Sequence, residues 1–266
     1  MTTETNITRK LNGRKVIKIS HELNLSSYSF GIISMDILFT AIAQIADEDK
    51  ELKEYLISIS ELERKIGRKL NRVSLQNTYE ELKMGEVEIK GKTFKWFEKI
   101  EISSEQGYIR FQLNNELSKH LIAPSFFVIA SLESFLKLKS YYSKRIYLVS
   151  SQFARMRKFN ISIDRLKNMM MVPDSLNQYS NFKERVIKLA LKQINEYSDI
   201  SLKIEELKIG RFVKDLEIIV TKAELVKVQK VKINKNQDTV QVGERTIKRG
   251  VLAVENWLER HKQRSA

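Results

Sequence analysis

The chain has 266 residues, a formal net charge of +14, a sequence pI of about 9.7 and no cysteine. Its length predicts about two domains, each large enough to bury its own core, and its charge favours nucleic acid as a partner. The lack of cysteine excludes disulfides, thiolate zinc sites and cysteine nucleophiles, and no apolar run approaches the roughly 20 residues of a membrane helix.

The first elements are predicted from polarity and periodicity. Residues 1–15 are polar and are predicted to form a flexible leader, and Val16–Ile19 is predicted as an edge strand. An apolar stripe with helical spacing follows, and the hydroxyl of Ser34 is in the right place to cap a helix that begins there.

The next stretch predicts a short helix, a turn, a second helix and a β-ribbon. Residues Ile57–Ser60 are predicted as a strand that leads into a helix, with Ser60 and Glu63 as a capping box and Gly67 at its C-terminal end. The second helix and the ribbon strands are predicted at Ser74–Lys83, Val87–Lys90, Phe94–Ile102 and Tyr108–Leu113. This order is typical of a winged helix.

A joining segment separates this unit from a second one. The segment is predicted to contain a helix that stops before Pro124, a strand at 126–129 and two helices, at Leu132–Leu138 and Tyr141–Arg157. We predict a domain boundary near Pro124. Its basic pairs are expected mainly on solvated helix faces: Lys137 with Lys139, and Lys144 with Arg145.

The second unit contains the strongest local signal. A short helix near Asp164 is followed by a break at 173–179 and by a long amphipathic helix predicted over Asn181–Tyr197. Asn181 and Glu184 fit a capping box. The residues predicted to form the buried stripe are Phe182, Val186, Leu189, Ala190, Ile194 and Tyr197.

A basic stripe is predicted on another face of this helix, formed by Arg185, Lys188, Lys192 and Asn195. A charged stripe is often no more than a solvated surface. The adjacent ribbon, Ile200–Leu207 and Val213–Val220, favours DNA contact because Lys208, Arg211 and Lys214 lie near its turn at Gly210. A basic ribbon tip beside a basic helix provides two sites for phosphates or a minor groove.

The two units contain an internal repeat. The words Ile-Ser-Ile-Ser-Glu-Leu from Ile57 and Ile-Ser-Ile-Asp-Arg-Leu from Ile161 lie 104 positions apart, and each precedes a turn and a second helix. We interpret this as one domain type used twice. The predicted class is therefore α+β, with winged helices at 16–124 and 125–222.

The sequence of the basic extension at 223–266 does not indicate its function. A hairpin is predicted from Val226–Ile233 and Thr239–Val242, and a short helix from Val251–Leu258. An additional DNA-contacting arm, a partner-binding element and a packed cap are equally consistent with it.

Enzyme-like patterns fail on spacing. The segment from Gly85 to Thr93 mimics a phosphate loop but has five residues between its glycines where four are required. The histidines, His21, His120 and His261, form no metal-binding pair, and Tyr141 and Tyr142 lack the activating partners of a nucleophile. We therefore expect no catalysis, metal or cofactor.

Three stretches carry a resemblance to a known family: Leu136–Leu148, Tyr179–Asn195, and Lys208–Arg211 with its return strand. In these, and in the order of elements over most of 34–220, the chain resembles the initiator replication proteins of iteron-containing, theta-replicating plasmids. The resemblance implies that the second unit is the main reader of the iteron, the repeated origin site. It implies that the first unit adds DNA contacts and the dimer surface.

The resemblance also implies partners. In this family monomers bind directly repeated iterons in double-stranded DNA and open the origin with the host initiator and helicase machinery, whereas dimers bind an inverted repeat and repress their own promoter. Localisation is expected to be cytoplasmic, without membrane contact. The soft run Met169–Met171 and the extension after Val220 depart from the family.

The predicted DNA-binding residues follow from where such a helix docks. Lys183 and Arg185, with Asn181, are nearest the base edges if the helix enters the major groove by its N-terminal half, whereas Lys188 and Lys192 would hold phosphates. Weaker phosphate candidates flank the turn of the first unit, namely Arg68, Lys69 and Arg72. The alternatives are a dedicated transcriptional regulator with two winged helices and, less favoured, an endonuclease or relaxase.

Overall fold

The computed structural model describes residues 16–222 and the backbone of two short strands, at 239–242 and 245–248. The predictions for residues 1–15, Val226–Ile233 and Val251–Leu258 lie outside the described residues. Thr239–Val242 is a strand, as predicted, and pairs antiparallel with Arg245–Lys248. The chain divides into two compact units, 1–223 and 224–266.

The first half of the described chain contains helices, two β-hairpins and two additional strands. Its elements are β1 (Val16–Ser20), α1 (His21–Asn24), α2 (Ile32–Ile42), β2 (Glu54–Ser58), α3 (Ile59–Ile66), α4 (Arg72–Met84), β3 (Glu86–Ile89), β4 (Lys92–Lys95), β5 (Phe97–Ser103) and β6 (Tyr108–Leu113). Strands β3 and β4 form a hairpin of their own, and the other hairpin pairs with β2 in the order β2-β6-β5.

The second half repeats this order in part after a joining segment, and residues 158–222 contain one hairpin where the first half contains two. A 3₁₀ turn at Asn115–Leu117 is followed by α5 (Ser118–Leu121), β7 (Phe127–Ser131), α6 (Leu132–Lys137), α7 (Tyr141–Phe153), β8 (Lys158–Ser162), α8 (Ile163–Met169), a 3₁₀ turn at Asp174–Leu176, α9 (Tyr179–Phe182), a π-helical stretch at Lys183–Lys188, α10 (Leu189–Tyr197), β9 (Ile200–Ile209) and β10 (Phe212–Lys222). The sheet order is β8-β10-β9. We refer to the continuous helix from Tyr179 to Tyr197 as the α9-α10 helix.

The two copies of the internal repeat have the same local structure, a strand that leads directly into a short helix. Ser58 caps α3 by accepting a hydrogen bond from the backbone N–H of Glu61, and Ser162 caps α8 in the same way from Arg165. In each unit the strand that leads into the capped helix, β2 or β8, pairs antiparallel with the last strand of the hairpin, β6 or β10. The prediction of two tandem winged helices is confirmed.

Three predicted helix starts are wrong. The cap of α3 is Ser58, not Ser60, and Glu63 instead accepts a hydrogen bond from the backbone N–H of Leu70. Ser34 lies inside α2, which begins after Gly31. The α9-α10 helix begins at Tyr179, so Asn181 lies in its first turn and makes no cap.

The start of α2 shows why its cap was missed. Glu81, from α4, accepts hydrogen bonds from the backbone N–H of Gly31 and from the hydroxyl of Ser34. A carboxylate at a helix N-terminus satisfies free N–H groups and interacts favourably with the helix dipole. The cap therefore comes from a residue 50 positions away in the chain.

The joining segment is tied into the first half. Strand β7 pairs antiparallel with β1, with Val16 opposite Ser131 and Ser20 opposite Phe127. This pairing crosses the boundary that we predicted near Pro124. Helix α7 holds the position in the second unit that α2 holds in the first, before the strand that leads into the short helix.

The expectation that Lys144 and Arg145 lie on a solvated face is wrong, because both side chains are fully buried. The Lys144 ammonium lies 2.7 Å from Oδ1 of Asp36 on α2 and donates to the carbonyl of Phe135. Arg68 reaches the other oxygen of Asp36 at 3.2 Å. Burial raises the pKa of the Asp36 carboxyl and lowers that of the Lys144 ammonium, while their opposite charges counteract both shifts.

The buried guanidinium of Arg145 is bound by backbone carbonyl groups and, within the described residues, by no carboxylate. Its guanidinium donates to the carbonyl oxygens of Asn24 at 3.3 Å, Ser26 at 2.7 Å and Met169 at 3.3 Å. It also lies 3.8 Å from the ring centre of Tyr28. Met169 ends α8, so the cation meets the negative end of that helix. The unusual methionine run thus contains a carbonyl that connects α8 to the first half of the chain.

Candidate nucleic-acid interface

The α9-α10 helix packs on one face and leaves the other in solvent. Phe182, Val186, Ala190 and Ile194 are fully buried, as the periodicity predicted. Two members of the predicted buried stripe are instead partly exposed, Leu189 at 39% and Tyr197 at 40%. The apolar face is therefore narrower than predicted, and the helix offers a broad outer surface.

The predicted basic stripe lies on this outer surface. Asn181, Arg185, Lys188 and Lys192 are all exposed, and their spacing of four, three and four residues places them along one side of the helix. Lys188 forms an ion pair with Glu184 at 2.5 Å. Within the part of the chain that the structure describes, Arg185 and Lys192 have no acidic partner, so their charges are available to a ligand.

Lys183 belongs to a different face. Its ammonium lies 2.7 Å from Oε1 of Glu206 on β9, and the hydroxyl of Tyr179 donates to the same oxygen at 2.7 Å. The hydrogen bond from Lys183 is the largest cause of the lowered pKa of Glu206, and the same bond raises the pKa of Lys183. Lys183 is thus half-exposed and neutralised, whereas the sequence alone placed it at the base edges.

Asn195 is not part of the stripe. Its side-chain amide donates to the carbonyl of Leu202 at 3.0 Å and accepts from the backbone N–H of the same residue at 2.6 Å. These two bonds attach the end of the α9-α10 helix to the start of β9. Asn195 therefore holds the helix and the ribbon together, a role that its helical spacing did not indicate.

The stripe crosses a stretch of π-helix. Residues Lys183–Lys188 have π-helical hydrogen bonding, and Arg185 and Lys188 project from it. π-helical turns are rare and frequently lie at functional sites. Sequence periodicity cannot distinguish this stretch from the α-helix on either side.

The ribbon places its basic residues at an exposed tip. Strands β9 and β10 meet at Gly210, which has a φ of +61°, a left-handed conformation that favours glycine. Lys208, Arg211 and Lys214 are exposed around this turn. Within the described residues none of the three forms an ion pair, so the structure brings them together as a cationic tip.

The candidates of the first unit are mostly paired. Arg68 contacts the buried carboxylate of Asp36, and Lys69 forms an ion pair with Glu63 at 2.7 Å. Arg72, the first residue of α4, is exposed and has no ion pair in the described part of the chain. Of the three, Arg72 alone offers an uncompensated charge.

The two units differ in charge at equivalent places. Helix α4 has two basic and two acidic residues, and the turn between β5 and β6 contains Glu105 and no cation. The α9-α10 helix has four basic and two acidic residues, and its ribbon tip is cationic. The electrostatic surface for a polyanion is therefore concentrated on the second unit.

The enzyme-like segments have structural roles. Gly85 packs against the ring of Phe30 so closely that a Cβ would collide with it, and Gly91 forms the β3-β4 turn with a φ of +74°. The hydroxyl of Tyr141 donates to the carbonyl of Tyr28, and its ring packs edge-on against Tyr142. These contacts account for the residues that mimic a phosphate loop and a nucleophile.

Each of the two described histidines makes a side-chain hydrogen bond. His21 hydrogen-bonds the carbonyl of Phe127 at 3.0 Å, and His120 hydrogen-bonds the hydroxyl of Ser20 at 2.8 Å. Burial lowers the pKa of His120. Among the described residues, no cluster of three or more His, Asp or Glu could hold a metal ion. His261 lies outside them.

No helix in the described ranges is both long and apolar enough to cross a membrane.

Comparisons with known proteins identify both units. A family model described as "Initiator Replication protein, WH1" matches residues 16–151, and a second, "Initiator Rep protein, WH2", matches residues 162–220. Among curated proteins nothing matches.

Solved structures are similar to this chain to different degrees. A crystal structure of the Pi initiator protein in complex with iteron DNA is 19% identical, with a TM-score of 0.69, and the match covers 80% of this chain and 99% of that one. Two structures of RctB domains 2 and 3 are 11% and 12% identical, with TM-scores of 0.44 and 0.41, and each match covers 71% of this chain and 81% of that one.

Proposed function

Because the chain belongs to the family of initiator replication proteins and contains both of their winged-helix domains in order, we propose that it initiates plasmid replication by binding iterons at the origin. The observation that carries this proposal is that Arg185 and Lys192 on the α9-α10 helix are exposed and form no ion pair within the described residues. The shared fold of the Pi initiator, solved with iteron DNA, supports the same ligand.

The second unit is the main reader in this proposal. The N-terminal half of the α9-α10 helix enters the major groove, where Asn181 and Arg185 contact base edges. Arginine can donate two hydrogen bonds to guanine O6 and N7. Lys188 and Lys192 hold phosphates on the same side, and the ribbon tip with Lys208, Arg211 and Lys214 contacts the adjacent backbone or minor groove.

The first unit is proposed to add weaker DNA contacts through Arg72, which is exposed and forms no ion pair with the residues that the structure describes. Arg68 and Lys69 contribute less, because the carboxylates of Asp36 and Glu63 neutralise them. A unit with balanced charge on α4 fits an auxiliary role.

The first unit, together with strand β7 that pairs with its β1, is also proposed to form the dimer. Strand β7 has an unpaired edge within the described sheet, and its outward face bears Phe127, 37% exposed, and Ile129, 49% exposed. Phe126, just before the strand, is 76% exposed. An apolar edge strand is able to pair with a second copy of itself. The monomer-dimer equilibrium of Ile129→Lys, measured by sedimentation equilibrium, should shift to monomer.

Origin opening and autorepression complete the proposal. Monomers on direct repeats would open the origin with the host initiator and helicase machinery in the cytoplasm, and dimers would repress the promoter through an inverted repeat. Both are binding functions, and the protein acts in them without catalysis.

The decisive experiment is footprinting of the full chain on the DNA that flanks its gene, with permanganate probing of unpaired thymines. Occupancy of tandem direct repeats with local strand opening is the expected result. Occupancy of one promoter palindrome without opening would replace the initiator by a transcriptional regulator, and metal-dependent nicking of supercoiled plasmid would replace it by a nuclease.

A further inference from the structure

The β9-β10 ribbon continues as a two-stranded arm beyond the three-stranded sheet. The third strand, β8, pairs with β10 only at 215–219, where Asp215 lies opposite Ser162. Residues 207–214 extend past this point and turn at Gly210: Ile209 lies opposite Phe212 and Lys208 opposite Val213, while Leu207, at the base of the arm, lies opposite Asp215. A register shift between Val213 and Asp215 places a bulge at the base of the arm, and bulges increase strand twist and redirect side chains.

One face of the arm is apolar and in solvent. Ile209 and Phe212 lie directly opposite each other across the strands and are 68% and 60% exposed. Leu207, two residues before Ile209 and so on the same face, is 37% exposed. None of the three contributes to the core, so their apolar character is unexplained by folding.

Basic residues alternate with the apolar residues of the arm, and Lys208 lies on the opposite face, across from Val213. Residues 207–214 include Lys208, Arg211 and Lys214 and no acidic residue. The Arg211 guanidinium lies 5.2 Å from the ring centre of Phe212. An apolar tip flanked by cations is complementary to stacked bases flanked by phosphates.

The arm is held in a defined position beside the basic stripe. Asn195 bonds both the N–H and the carbonyl of Leu202 on β9, and Glu206 on β9 bonds Tyr179 and Lys183 at the start of the helix. Strand β9, which leads into the arm, is therefore attached to the α9-α10 helix at both ends of the helix. A duplex that binds the basic stripe would therefore contact the arm at a defined position next to the helix-bound site.

We propose that the arm is an apolar wedge that enters the minor groove beside the helix-bound site and inserts Phe212, supported by Ile209, between two base pairs. Lys208, Arg211 and Lys214 hold the flanking phosphates. Proteins that insert Phe, Ile or Leu in this way unstack a base step and kink the duplex by about 20–90°. Pyrimidine-purine steps unstack most easily, so the wedge selects a flexible step without contacting base edges.

This inference rests on the proposed function and deepens it, because a kinked, unstacked step beside a bound iteron is a starting point for strand separation. A membrane surface is the other ligand with apolar and anionic parts. The arm fits it less well, since its apolar face comprises three side chains on a narrow ribbon, whereas surface-bound elements bury a long apolar face.

The test uses the full chain and a duplex with the footprinted repeat, labelled with a fluorophore at each end and with 2-aminopurine at successive base steps. The wild type is expected to shorten the end-to-end distance and to raise 2-aminopurine fluorescence at one step. The double variant Ile209→Ser, Phe212→Ser should lose at least half of the bend and the fluorescence rise, with an affinity loss of about tenfold. Met156→Ser, which changes an exposed apolar residue outside the arm, is the matched control and should behave like the wild type.

Two outcomes separate the wedge from the proposed function. If the wild type binds the repeat but leaves it straight and stacked, or if the double variant kinks it equally, the wedge is wrong and the initiator proposal stands. If the wild type binds no repeat, the proposed function fails first. Sedimentation with phosphatidylserine vesicles that depends on Phe212, without a kink in DNA, would replace the wedge by a membrane contact.

Discussion

Glu206 controls how much of the positive charge of the α9-α10 helix is available. Its carboxylate binds Lys183 and Tyr179 through one oxygen, so Lys183 faces the ribbon and not the outer surface. The sequence contains both residues, but their pairing joins a helix to a strand 23 positions later. Only the folded ribbon brings them together, which is why spacing alone placed Lys183 at the bases.

Replacement of Glu206 by Gln should therefore strengthen DNA binding. Without the carboxylate charge, Lys183 becomes free to contact a phosphate, and we expect a several-fold gain in affinity and a salt slope steeper by about one. Binding isotherms at several salt concentrations measure both. Glu205→Gln, which removes the same charge from a residue paired with Lys203, is the control. Equal gains in the two variants would mean that net charge alone is responsible.

Arg185 and Lys192 should differ in the kind of binding that they support. Arg185→Ala should reduce discrimination between the specific and a scrambled duplex by about 1–3 kcal/mol, because a bidentate base contact is lost. Lys192→Ala should weaken both duplexes alike and lower the salt slope by about one. Dissociation constants on both duplexes test this, and equal loss on both for Arg185→Ala would refute its base-reading role.

At the scale of elements, α2 and α7 are joined by a buried ion pair. Asp36 and Lys144 are both fully buried, 2.7 Å apart, with Arg68 as a second, partly exposed partner. Removal of one member leaves an uncompensated charge in the interior, which costs far more than the loss of a surface pair. Sequence pattern favoured a solvated Lys144 because lysine is seldom buried.

Lys144→Met should reduce the free energy of unfolding by about 3–5 kcal/mol. The double variant Asp36→Leu, Lys144→Met should regain most of that loss, since no ion of the Asp36-Lys144 pair remains buried. Urea denaturation measures both. Lys137→Met, which breaks an exposed pair with Glu133, should change the unfolding free energy by about 1 kcal/mol or less. A double variant as unstable as the single one would show that the pair is not the source.

Element order was predictable, whereas three helix starts were not. The repeated word at Ile57 and Ile161 indicated both units because its isoleucines face the core and its serine caps a helix in each. The caps of α2 and of the α9-α10 helix were missed because the first comes from distant Glu81 and the second uses no side chain. The boundary near Pro124 stays a prediction, and the pairing of β1 with β7 favours one closer to α7.

At the scale of the molecule, Arg145 connects the units. Its guanidinium bonds carbonyls of Asn24 and Ser26 in the first half and of Met169 in α8. Both winged helices lie within one compact unit of the chain. The sequence predicted two domains closely joined, yet it contained no sign of this connection, because backbone carbonyls are acceptors that no motif marks.

Arg145→Met should separate the unfolding of the two winged helices. The wild type is expected to unfold residues 16–222 in one calorimetric transition, whereas the variant should show two, because the shared interior cation is gone. Arg155→Met, at an exposed position after α7, should keep a single transition. One transition at a lower temperature for Arg145→Met would mean that other contacts couple the units.

The carboxylate of Glu81 has a consequence for how the first unit meets its ligand. Because this side chain of α4 caps the N-terminus of the buried helix α2, any tilt or slide of α4 would break the hydrogen bonds from Gly31 and Ser34 to Glu81. The first winged helix should accordingly dock as a rigid piece, and any mismatch with the duplex should be accommodated by deformation of the DNA.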